Sequence, residues 1–266
     1  MVSLLFFRSL SFLVLTTFTA FLASSCRNSD ISESDVLGQK SWMGSKRTSE
    51  EIIDSIKAFS KMATERALNN SATIPASRLR MSDFISELKE VAPKKTFEES
   101  LVLSQGSWQE IWSDAQNPLP PGQRILKPRV YQVVRNDGIG FNFGVREILL
   151  PNGAKIIATS AIQIELEAQK ELGETKVTFL KTFSKQGDLS EEPSLAELAQ
   201  GLLDGSRVNE NDFKQDEDRR FPRGPVGAVG SLETIYVDEN FRIVQGPNPF
   251  SKVVDTFVLV KTDIPQ

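Results

Sequence analysis

From Gly106 to Lys261 the apolar side chains recur at every second position, in one short run after another. A period of two is the geometry of a strand with one face turned to a core. The runs fall at Gly106–Trp112, Arg129–Arg135, Ile139–Val145, Lys155–Leu166 and Thr175–Phe183. Three more follow near the C-terminus, Leu232–Asp238, Glu239–Gly246 and Thr256–Lys261. Turn chemistry separates them: the Pro- and Gly-rich stretch Asn117–Gly122, the hairpin signal Asn136-Asp137-Gly138, and Pro151-Asn152-Gly153. Connections this short make neighbours antiparallel. About eight such strands in an open sheet would leave two bare edges, and closure into an up-and-down or meandering barrel removes them.

Helical periodicity precedes the strands. Thr48 and Glu51 have capping-box spacing, and Ile52, Ile53, Ile56, Phe59, Ala63 and Leu68 follow on one face, predicting a helix to about Asn69. Asn69-Asn70-Ser71 stops it. Met81, Phe84, Ile85 and Leu88 mark a second helix, ended by Pro93, and Thr96 with Glu99 opens a short third. The stripe Ile52, Ile56, Phe59, Ala63 suits either a membrane surface or packing against the barrel. Another capping pair, Ser194 and Glu197, predicts a short helix to about Leu203, and Val208–Gly230 reads as a charged loop.

The first 25 residues form a targeting segment: apolar, without acids, and carrying one charge, Arg8. Ala23-Ser24-Ser25 before Cys26 resembles a bacterial lipobox, which would make Cys26 a lipidation site. A secretory signal or uncleaved anchor, and a plastid-type transit segment, are the other readings. Residues 26–47 are polar and acidic, a flexible tether.

Composition narrows the chemistry. The chain has 266 residues, no histidine, one cysteine and a net charge of −4. The commonest general base and metal ligand are thus absent, intrachain disulfides and Cys-based zinc sites are excluded, and nothing favours nucleic acid. No cofactor motif occurs. Carboxylate and lysine chemistry stay open. Glu165 and Glu167 share a strand face, but a solvated face explains them as well as an acid/base pair does.

The C-terminal strands carry a resemblance. Leu232, Thr234, Tyr236, Asp238, Glu239, Arg242, Ile243, Gly246, Phe257, Val258 and Leu259 are similar to the C-terminal signature of the plastid lipid-associated proteins, the fibrillins. Leu103, Gly106 and Trp108 match the start of that family's sheet, and Tyr131, Gln132, Val133 and Val134 match its next strand. The resemblance covers about residues 50–261. It implies a mainly β fold, a lipocalin-like antiparallel β-barrel with an N-terminal helical lead-in. It further implies a non-enzymatic protein associated with a lipid, fatty acid or prenylquinone, and with a membrane such as the thylakoid. No cofactor is expected.

Candidate site residues follow from the barrel. Inward positions are the place for a ligand. Taking the aromatic face as the inner one, Trp108 and Trp112 share a face with Glu110 between them, as do Tyr131 and Val133, Phe141 and Phe143, and Phe179 and Phe183, with Tyr236 on a later strand. Trp108, Trp112, Tyr131, Phe141, Phe143, Phe179 and Tyr236 either line a cavity or fill a core. Arg242 either meets a polar head group or forms a turn-stabilising pair with Asp238. The expected organisation is a targeting segment (1–25), a tether (26–47), a helical lead-in (48–104) and a barrel (105–266). The function expected is a lipid- or prenylquinone-binding protein tethered to a membrane through Cys26. The alternative is a scaffold at lipid or photosynthetic membrane surfaces with a filled barrel. A carboxylate enzyme is a third reading.

Overall fold

The computed structural model describes residues 46–69, 74–115, 121–169, 173–187, 195–204, 214–215, 224–248 and 251–263. The targeting segment, Cys26, most of the tether, Ser194 and most of the Val208–Gly230 loop lie outside them.

Helix α1 (Ser49–Asn69) starts where the capping box predicts. The Thr48 amide donates to Glu51 Oε2 at 2.9 Å and the Glu51 amide donates to Thr48 Oγ1 at 3.3 Å. Helix α2 (Ile74–Val91) packs beside it. Helix α3 (Phe97–Ser104) opens on a second capping box, Thr96 with Glu99. Strands β1 (Gly106–Ser113), β2 (Arg124–Val134), β3 (Ile139–Leu149), β4 (Lys155–Ala168) and β5 (Glu174–Gly187) follow as a meander. Helix α4 (Leu195–Asp204), the two-residue strand β6 (Lys214–Gln215), and strands β7 (Val229–Val237), β8 (Phe241–Pro247) and β9 (Val254–Lys261) complete the chain.

The hydrogen-bonded order β4-β3-β2-β1-β9-β8-β7-β5 is closed by pairing between β4 and β5, so eight antiparallel strands form a complete ring. Strand β6, inside the expected loop, pairs with β5 at Phe183 and Ser184, beyond the Glu174–Thr178 stretch that pairs with β7. Closure gives every strand of the ring a partner on both sides, over only part of its length for β1 with β2 and for β5 with β7, which answers the problem the short strands posed.

Packing identifies the two faces of the wall. Ile52, Ile53, Ile56 and Ala63 of α1 and Met81, Phe84, Ile85 and Leu88 of α2 bury against Trp112, Ile235, Phe241, Ile243 and Val258. Ala199 and Leu202 of α4 bury against Tyr131, Val133, Phe141, Phe143, Val145, Ile157 and Ala161. The register puts both sets on one face. An eight-stranded barrel is only wide enough inside for side chains or one small ligand. These helices therefore cover the outside. The apolar stripe of α1 is a packing surface, and each of its buried Ile side chains contributes about 1.5–3 kcal/mol.

Helix α3 does the opposite. Phe97 and Leu101 pack with Val134 of β2, Ile164 and Leu166 of β4, Val177 of β5 and Leu232 of β7. Only the end of the tube brings those strands together around one short helix. α3 is a plug in one mouth. It is pinned from below: Trp108 Nε1 donates to the Ser104 carbonyl at 2.6 Å, and Lys261, stacked 4.5 Å over the Trp108 ring, donates to the Gln105 carbonyl.

Candidate ligand site inside the barrel

The eight aromatic and arginine positions singled out from the sequence divide between the two faces. Trp108, Phe179 and Arg242 project inward, whereas Trp112, Tyr131, Phe141, Phe143 and Tyr236 project outward beneath the helices. Tyr131 and Phe143 stack there with centroids 5.4 Å apart, and burial pushes the Tyr131 phenol up. The second group fills the layer between wall and helices rather than lining the tube. Tyr236 sits at the edge of that layer, 6.3 Å from the Phe241 ring, its phenol pushed up to about 12 by burial and by its hydrogen bond to Asp238.

Bulges account for the broken parity. Glu110 opposes Leu259 while Trp112 opposes the next residue, Val258, so Ile111 is an extra residue and the two tryptophans face opposite ways. The expected sharing of a face by Trp108 and Trp112 is corrected on this ground. On β5, Phe179 opposes Ile164 and Lys181 opposes Gln163, so Leu180 breaks the expected parity of Phe179 and Phe183. On β7, Thr234 opposes Val244 and Tyr236 opposes Ile243, so Ile235 turns Tyr236 outward.

Asp238 and Arg242 also part company. Asp238 Oδ1 accepts from the Asn240 and Phe241 amides at 2.7 Å each, and Oδ2 accepts from the Tyr236 hydroxyl at 2.9 Å. That is turn chemistry. Arg242, 5% exposed, instead crosses the interior and donates from Nη1 to Gln132 Oε1, while Gln132 Nε2 donates to Asn142 Oδ1 at 2.7 Å. Burial lowers the Arg242 guanidinium to about 10. A cavity of about 10 Å³, the size of one water, lies between Arg242, Ser100, Thr175 and Thr234 under the plug. Arg242 Nε and Ser100 Oγ are buried without a hydrogen-bond partner among the described residues.

The interior changes character along its axis. Near α3 the inward residues Trp108, Val134, Ile164, Leu166, Val177, Arg242 and Val244 are all buried. Farther from the plug, Glu110, Val130, Arg146 and Ser160 keep partial contact with solvent, although Ile148 on the same face is buried. Their outer-face neighbours Tyr131, Val145, Thr159 and Ala161 are buried instead. The tube is thus packed at one end and reachable by solvent at the other.

Two charges stand in the reachable half. Glu110 is walled in by protein although it keeps partial contact with solvent, and burial pushes its carboxyl up to about 7, with Arg146 pulling it back down. Burial lowers the Arg146 guanidinium, opposed by Glu110. Sequence reading noticed Glu110 only as a spacer and missed Arg146, Gln132 and Asn142 as interior groups. The signal was present for the last three: Gln132, Asn142 and Arg146 occupy the parity opposite to the aromatics of their own strands. Among the described residues no three carboxylates come together as metal ligands, and no helix is long and apolar enough to cross a membrane.

No curated protein matches the chain in sequence. The PAP_fibrillin family model, however, matches residues 51–255, from the first turn of α1 to the start of β9. The chain belongs to the plastid lipid-associated protein family, the fibrillins.

Proposed function

We propose that this fibrillin carries one lipid, fatty acid or prenylquinone inside its barrel and performs no chemistry on it. The observation behind this reading is the axial asymmetry of the interior: side chains buried under α3, side chains in partial contact with solvent beyond them. Apolar ligand surface entering that half leaves water at about 25 cal/mol per Å², offset by the costs of association. Native mass spectrometry of the full chain, recovered from cells that make such lipids, is expected to show one bound lipid per chain. Gly144 lies on the inner face, where an added Cβ would meet only ordinary contacts, at 3.5 Å from the Arg129 carbonyl. Gly144→Leu fills the reachable half and is expected to abolish carriage while leaving the fold in place. A wild-type chain that recovers no lipid and takes up none on incubation would overturn the reading.

Membrane tethering through Cys26 is a separate part of the proposal, supported by the small-residue run before the chain's only cysteine. A Cys26→Ser form is expected to leave the membrane fraction. One that still sediments with membranes as the wild type does removes the lipid anchor.

A further inference from the structure

We propose that Glu110 and Arg146 together form a head-group site, which takes the carbonyl or carboxylate oxygen of a long-chain lipid entering the open mouth head-first. The inference rests on the lipid-carrying reading above and adds what end of the lipid is read, and by which residues.

Both side chains project into the tube. Glu110 opposes Leu259 across β1 and β9, and Arg146 lies between Pro128 and Ala158 on β3. Each feels the charge of the other, yet no ion pair or hydrogen bond joins them to each other or to another of the described residues. A carboxylate and a guanidinium held apart in an apolar tube gain little from one another and lose much of their hydration. Such an arrangement suits an oxygen placed between them.

The surroundings give direction. Toward the mouth, Ile125, Ile148 and Ile156 face one another across adjacent strands on the inner face, an apolar collar for a chain. The inner positions of β2 and β4 at this depth, Val130, Ala158 and Ser160, carry no charge. Few polar groups converging in an apolar pocket is the pattern by which pockets fix a ligand's orientation.

Chemistry then selects the head. Arg146 offers a planar fork of N–H donors suited to a carboxylate or carbonyl. Glu110, when protonated, adds one O–H donor. Arg242 is a second inward cation deeper in the tube. Arg146 and Arg242 stand against Glu110, the other inner-face carboxyl among the described residues, Asp255, being held by a hydrogen bond from Asn248, and this balance disfavours an ammonium head and favours an oxygen acceptor.

The test uses the full chain and three probes. Diphenylhexatriene, a hydrocarbon dye with no polar head, reports the apolar space; palmitic acid and decylubiquinone, measured by displacing it, supply the carboxylate and the quinone carbonyl. Arg146→Met is expected to weaken palmitic acid or the quinone, or both, at least tenfold while the dye binds as before. Which of the two loses affinity identifies the source of the oxygen. Glu110→Leu is expected to weaken the quinone and spare the dye. Retained dye binding also shows that each variant is folded. Dye and head-bearing lipids all bound unchanged by both variants would sink the head-group site while lipid carriage stands. A wild-type chain that binds none of the three probes would sink both.

Discussion

Gly246 illustrates how tightly single residues are fixed in this wall. A Cβ added there would lie 2.3 Å from the Ser231 carbonyl oxygen and 2.6 Å from Leu232 Cδ2. Backbone cannot yield as a flexible side chain can, so strands β7 and β8 must separate. Gly246→Ala is expected to cost about 2–3 kcal/mol or more, read from chemical denaturation. Glu110 makes a different prediction, about pH. Its folded pKa, about 7, lies above the ordinary 4.5, so between those values the folded chain binds more protons than the unfolded one. Stability therefore falls as pH rises through that window and levels off above it. Glu110→Gln removes this loss. Relative to wild type the variant is expected to gain stability between pH 4.5 and about 7, with no further gain at higher pH, in paired thermal melts. A pH-independent difference would mean that Glu110 titrates as an ordinary surface acid.

Among the elements, α3 has the largest consequence for its size. Leu101 reaches Val134, Ile164, Leu166 and Val177 from within the mouth. Leu101→Ala is expected to cost about 2–3 kcal/mol and to speed amide exchange first in α3 and the ends of the strands around it. The helices themselves were legible from sequence, because capping boxes and an apolar period are local signals. Both capping boxes at Thr48 and Thr96 form as spelled. The strands were legible too, although β2 begins five residues before the run at Arg129 and β6 carried no pattern at all. Which face of each strand is inside was not. Alternation reveals inside from outside only when one face meets water, and here α1, α2 and α4 cover much of the outer face with apolar contacts. Taking aromatics as inward thus inverted the assignment for Tyr131, Phe141 and Phe143. The bulges at Ile111 and Ile235 then flipped Trp112 and Tyr236 individually. A bulge is one extra residue in a pairing, and no local spelling marks it.

At the scale of the molecule, covering helices and a closed wall divide the labour. The outer aromatic layer supplies core that a small barrel lacks, which frees the far half of the tube from having to be filled. The family resemblance in the C-terminal strands spoke for fold, and the fold bears that out: Phe257 and Leu259 pack with Trp108 and Val244 in the interior, and Ile243 and Val258 beneath α1 and α2. The closed ring has one further consequence. Pairing joins every neighbour in the ring, although β1 and β2 part beyond Gln109 and Tyr131 and β5 and β7 beyond Thr178 and Val229, and α3 blocks one end, so a lipid inside would have a single doorway, on the side away from α3. An incoming lipid could not push the resident one out from behind. Exchange would have to wait for departure, with a rate set by the occupied protein alone and indifferent to how much competitor is waiting, so the carrier would behave as a timer rather than a relay.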